Sequence, residues 1–119
     1  MRYNQSMKII TETLLSDELK QMALATFGNL VKAVVDVDRE IIAVDAELHA
    51  DLEALLLEDG SKQKNLWGIN LYPEIQGDDF IEFDSMINMR PSQGNRSRGI
   101  ENEEIRRKII SIVAKRIKQ

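Results

Sequence analysis

Residues 30–44, LVKAVVDVDREIIAV, decide the fold class. Val31, Ala33, Val35 and Val37 recur at every second position, the spacing that lines one face of a strand. After the polar Asp38, Arg39 and Glu40, a second β-rich run covers Ile41 to Val44. Two such runs across a short polar link predict a β-hairpin.

Toward the N-terminus, Met7 to Thr11 is compatible with a short strand, and residues 1–6 read as a disordered extension ahead of a single domain over 7–119. Ser16 is expected to cap a helix with Asp17 and Glu18 in its first turn and an apolar face of Leu19, Met22, Ala23 and Phe27. Gly28 should stop it. Toward the C-terminus, residues 47–58 stay open between two readings, because Leu48, Leu52, Leu55 and Leu56 fit a helical stripe while Leu48, Ala50, Leu52, Ala54 and Leu56 alternate as in a strand. Composition leans to helix, since Ala, Leu and Glu dominate and β-branched residues are missing.

After the turn Asp59-Gly60-Ser61, a strand is predicted over Leu66 to Tyr72, with Trp67, Ile69 and Leu71 on one face and Pro73 as its stop. Phe80 to Arg90 reads as a longer strand paired with it, as Ile81, Phe83, Ile87 and Met89 alternate with Glu82, Asp84, Asn88 and Arg90. Pro91 to Gly99 is a polar loop without a large apolar side chain, expected at the surface. A last helix begins near Asn102 and should bury Ile105, Ile109, Ile112, Val113 and Ile117. The order of elements predicts an α+β domain: an antiparallel sheet with the N- and C-terminal helices packed on one face.

Composition narrows the function classes. The 119 residues contain no cysteine and one histidine, which excludes disulfides, thiolate chemistry and an ordinary structural zinc site. No apolar run is long enough to span a bilayer and the first residues lack the core of a secretory signal, so no membrane partner and a cytoplasmic location are expected. The net charge of −4 is uneven, with 7 basic and 17 acidic residues up to position 88 and 9 basic and 3 acidic beyond it. A basic C-terminal helix docked on an acidic body is the favoured reading of that asymmetry, and nucleic-acid binding ranks low because the whole chain is acidic.

Four groups of residues could carry chemistry. The outward row Glu82, Asp84, Asn88 and Arg90 places two carboxylates, an amide and a guanidinium on one strand face, a set able to hold a divalent cation or orient a polar ligand. The competing reading is a solvated sheet face with no role. The loop that follows, with Asn95, Arg96 and Arg98 among hydroxyls, amides and two glycines, could grip a phosphate or carboxylate, although it has neither the lysine nor the spacing of a P-loop. His49 with Asp51 and Glu53 is a weak metal candidate against the plainer reading of a surface histidine. Trp67, Tyr72 and Phe80 are read as core.

The stretches HADLEALLLEDGSKQKNLWGINLYP (49–73) and FIEFDSMINMRPSQGNRSRGI (80–100) resemble an uncharacterised family of small prokaryotic proteins, catalogued as a domain of unknown function. The resemblance covers nearly the whole chain from Met7; it implies a cytoplasmic prokaryotic protein and brings no activity, cofactor or catalytic residue. The leading functional expectation is an anionic or phosphate-bearing small ligand bound between residues 82 and 98. If chemistry follows, it would be hydrolysis or transfer at phosphorus, with Glu82 or Asp84 as base or metal ligand and Arg96 or Arg98 stabilising charge. The alternative is a non-enzymatic protein-interaction module, a homodimer joined by the sheet face or by the last helix with its additional apolar Ile110.

Overall fold

A computed structural model describes residues 6–118. The extension expected at residues 1–6 lies outside the described residues except for Ser6, which hydrogen-bonds the Asp45 side chain. The chain runs β1 (Lys8–Ile10), β2 (Leu14–Leu15), α1 (Ser16–Ala25), β3 (Val31–Asp36), β4 (Ile41–Val44), α2 (His49–Glu58), β5 (Leu66–Leu71), β6 (Ile81–Glu82), α3 (Glu103–Arg116) and β7 (Ile117–Lys118). Five strands form one antiparallel sheet in the order β1-β4-β3-β5-β6, and β2 pairs with β7 in a small parallel ribbon. The fold is therefore α+β, with the hairpin of β3 and β4 at its centre.

The helices divide the sheet between them by side-chain parity. Val31, Ala33 and Val35 of β3 meet Leu19 and Ala23 of α1 and Ile109, Ile112 and Val113 of α3, together with Trp67, Ile69 and Leu71 of β5. The N- and C-terminal helices thus share one face. Val34 points the other way, to Leu52 and Leu56 of α2 with Ala43 and Leu66. α2 settles the ambiguity over residues 47–58 in favour of helix, and it covers a second sheet face that a two-layer reading leaves to solvent. Both faces being covered explains why Val31 to Val35 is almost continuously apolar rather than strictly alternating.

Of the two expectations for the ends of α1, one is corrected and one holds. Ser16 is the first residue of α1 rather than its cap; the capping position is Leu15, whose backbone N–H donates to Glu18 Oε1 at 3.3 Å. Gly28, with φ +93°, does close the helix end by donating its N–H to the Ala23 carbonyl at 2.6 Å.

The larger correction concerns Phe80 to Arg90, of which only Ile81 and Glu82 form a strand, paired with Leu71 and Asn70. Beyond them Ser85 turns the chain into a 3-10 turn over Met86–Asn88, its hydroxyl accepting the Ile87 N–H at 3.3 Å. The alternation misleads because its apolar residues serve two cores: Ile81 and Phe83 pack with α1 and α3, whereas Ile87 packs with α2. The segment crosses over the edge of the sheet from one face to the other.

The basic end of the chain docks as composition implied. Lys115 pairs with Glu40 at 3.0 Å and holds that carboxyl below its usual range, while Arg116 donates to the carbonyls of Glu40 and Glu12 at 2.8 and 3.2 Å.

Candidate functional site

The residues expected to form one outward row separate into two groups with different work. Asn88 is fully buried beside β5, where its Oδ1 accepts the Gly68 N–H at 2.8 Å and its Nδ2 donates to the Gly68 and Arg98 carbonyls at 2.9 Å each. A side-chain amide takes the place of a strand neighbour exactly where β6 has ended. Asn95, also buried, donates to the carbonyls of Asn88, Ser97 and Gly99 at 2.7, 3.1 and 2.8 Å and accepts the Glu101 N–H at 2.8 Å. Arg90 stacks on Trp67, 4.2 Å from the ring centroid, and donates to the carbonyls of Ile87, Gln63 and Leu66. Burial lowers its pKa below the usual arginine value. Asn88, Arg90 and Asn95 are therefore structural, and the loop is held by its own polar side chains rather than left as a solvated turn.

Glu82, Asp84 and Arg98 belong to the second group. Glu82 Oε1 accepts from Asn70 Nδ2 and from the Tyr72 hydroxyl, both at 2.9 Å. Burial and the adjoining Glu82 carboxylate raise the Tyr72 phenol above its ordinary pKa. Asp84 accepts from Arg98 Nε at 2.6 Å, and its backbone carbonyl accepts from Asn70 Nδ2 at 3.3 Å. Arg96 is tied in through its backbone, whose N–H donates to Glu101 at 2.7 Å; its guanidinium has no bond among the described residues to join it to the others.

Sheet register brings Lys32, Asn70 and Glu82 side by side on β3, β5 and β6. Asn70 is 5% exposed, and its Oδ1 is buried without a hydrogen-bond partner among the described residues. Lys32 approaches the Phe27 ring at 5.4 Å and forms no ion pair among the described residues. His49, at the start of α2, is buried, and its Nε2 lies 2.8 Å from the Ile69 carbonyl oxygen. Because a carbonyl only accepts, Nε2 carries the proton and Nδ1 of the neutral ring is left as an acceptor. Burial lowers the His49 pKa, against the opposing effect of that hydrogen bond, and the charges of Lys32, Asp84 and Arg98 all reach the ring.

The polar end of the sheet thus combines Lys32, His49, Asn70, Tyr72, Glu82, Asp84 and Arg98. Lys32 and Asn70 were not among the residues singled out from sequence, and Tyr72, read there as core, is only partly buried and gives its hydroxyl to Glu82. A signal was present: Lys32 and Asn70 are lone polar residues inside the apolar strands VKAVV and LWGINL. His49 does not join Asp51 and Glu53 in a metal centre. Among the described residues, no group of three or more His, Asp or Glu side chains is placed to hold an ion.

The model of one protein family, described as "Protein of unknown function (DUF5674)", matches residues 8–116. No curated protein and no solved structure matches the chain.

Proposed function

We propose that this chain, which belongs to the DUF5674 family of proteins of unknown function, binds a small anionic or phosphate-bearing ligand at the polar end of its sheet. The observation that carries this reading is the state of Arg98. Asp84 holds the guanidinium through Nε, and the two terminal nitrogens form no hydrogen bond among the described residues. A guanidinium oriented from behind with its outer N–H groups uncommitted suits a carboxylate or phosphate. Lys32, whose ammonium lies over the Phe27 ring and pairs with no carboxylate among the described residues, supplies a second cation, and Asn70 Oδ1 an acceptor for a ligand hydroxyl or amine. No catalytic step is included, since Asp84 is engaged by Arg98, and Glu82 by Asn70 and Tyr72. A cytoplasmic, prokaryotic setting completes the proposal; a chain without cysteine needs no oxidising compartment, which agrees with the first of these.

Calorimetric titration with inorganic phosphate and a set of small phosphate monoesters tests the reading. Binding should weaken about tenfold in Arg98→Ala and in Lys32→Ala, each of which loses one charged contact. Unchanged affinity in both folded variants would exclude this site.

A second reading, a homodimer, rests on a groove of about 390 Å³ between α3 and the β6 edge, walled by Phe80, Ile81, Val113, Ala114 and Ile117. Ile110 on its rim is 49% exposed. Asp78 lies beside this groove and Lys118 lines it, so the surface carries both signs of charge and can pair with itself across a two-fold axis. Light scattering that finds a monomer at all concentrations would remove it.

A further inference from the structure

Trp67 is 2% exposed, yet its indole N–H has no acceptor among the described residues. Buried indole N–H groups ordinarily find a partner, so the exception needs an explanation. Its surroundings make the omission sharper, because the other donors in contact with this end of β5 are matched: Arg90 donates to three carbonyls and Asn95 to three more. Trp67 also lines a cleft of about 410 Å³, with Lys64, Gln93, Asn95, Glu101 and Ile105 among the other walls. That volume lies within the range of small-molecule sites. The Lys64 ammonium forms no ion pair or hydrogen bond among the described residues. Glu101, in contrast, is committed to the backbone N–H groups of Arg96 and Ser97 at 2.7 and 3.0 Å.

The geometry points to a second binding site in this cleft, for a small monocarboxylate with a compact apolar body. The carboxylate would accept the Trp67 N–H and lie by Lys64, while the body rests on Ile105 and the indole. A singly charged group fits better than a phosphate dianion, since the cleft walls carry one ammonium, Lys64, against the carboxylate of Glu101. Entry requires the rim to give. The exposed Gln93 side chain is held by two long contacts, its Nε2 donating to the Lys64 carbonyl at 3.3 Å and its Oε1 accepting from Arg90 Nη1 at 3.4 Å, so this rim can open at the cost of two weak bonds. The site shares no residue with the polar end of the sheet, and it stands or falls independently of the phosphate reading.

Trp67 is the chain's one tryptophan, so a single indole cross-peak in a ¹⁵N–¹H correlation spectrum reports on the site directly. In the full chain, benzoate should move that peak downfield with saturation, and methyl benzoate, which lacks the charge, should not. Lys64→Ala, a change at an exposed position, should weaken benzoate binding about tenfold while the rest of the spectrum stays native. The proposal is overturned if the indole peak stays in place up to about 10 mM benzoate, a concentration beyond any specific affinity for such a cleft. It is equally overturned if the peak moves linearly without saturation, or if Lys64→Ala leaves the affinity unchanged.

Discussion

In the hairpin, every residue from Ala33 to Asp36 has a register partner on β4 and another on β5, so the backbone is satisfied by backbone. Between Ser85 and Gly99 the backbone closes on itself in short turns, the Arg90–Asn95 bridge and the Ser85 to Arg98 bond, and side chains supply the bonds that join it to β5 and to Glu101: Asn88 and Asn95 serve the backbone of Gly68, Arg98, Ser97, Gly99 and Glu101. The first region depends on the shape and apolarity of its side chains, since its ladder forms with any residue that keeps a backbone N–H. The second depends on amide chemistry at two positions. A ladder tolerates substitution that preserves volume; an amide that stands in for a strand tolerates none that removes its donors or acceptor.

Isosteric exchange is the sharpest way to break this contrast. Asn88→Asp preserves shape but removes both donors and buries a carboxylate, and we expect a loss of about 3 kcal/mol or more in urea unfolding. Leu52→Met, a volume-conserving swap under the hairpin, should cost below about 1.5 kcal/mol. If the two losses were equal, the distinction would fail. Gly68→Ala probes the contact between the regions, because a Cβ there would stand 2.6 Å from Ser85 Cβ and Oγ and 3.2 Å from His49 Cδ2. It should cost roughly 2–3 kcal/mol through overpacking, and Ser85→Gly in the same chain should restore part of it.

Arg90→Lys retains the charge but gives up the planar stack on Trp67 and the spread of donors across three carbonyls. A loss of about 1–2 kcal/mol is expected from thermal unfolding. The smallest effect is a pH dependence at the polar end. Burial sets the folded-state pKa of His49 below the ordinary value of 6.5, so the unfolded chain takes up the proton first as pH falls. Stability should therefore be full above pH 6.5 and decline as pH drops from there toward the lowered folded-state pKa. His49→Gln should flatten that limb, and an unaltered slope would show that another group is responsible.

The contrast between the two regions also explains what could be read from sequence. Val31 to Val44 and the two terminal helices were legible because period, turn residues and caps are local signals, each repeated over several positions. Phe80 to Arg90 has the same alternating pattern, yet its apolar residues feed opposite faces of the sheet, and no window of sequence distinguishes one wall from two. The candidate site shows the same limit. Glu82, Asp84 and Arg98 were recognisable as a polar run, but Asn88, Arg90 and Asn95 carry the same composition and turn inward.

The sequence by itself determined the class of fold, the central hairpin, the strand that follows Asn65, the presence of both terminal helices and the supply of polar groups near its C-terminal third, while residues 47–58 stayed open and the short β2 and β7 left no local signal. Tertiary structure alone decided which of those groups face outward, because backbone N–H and C=O groups stranded at the end of β6 claim the nearest amides and guanidinium before any ligand can. It also decided that Asn70 stands between Lys32 and Glu82, since alignment across three strands joins residues 12 to 50 positions apart that no local pattern connects.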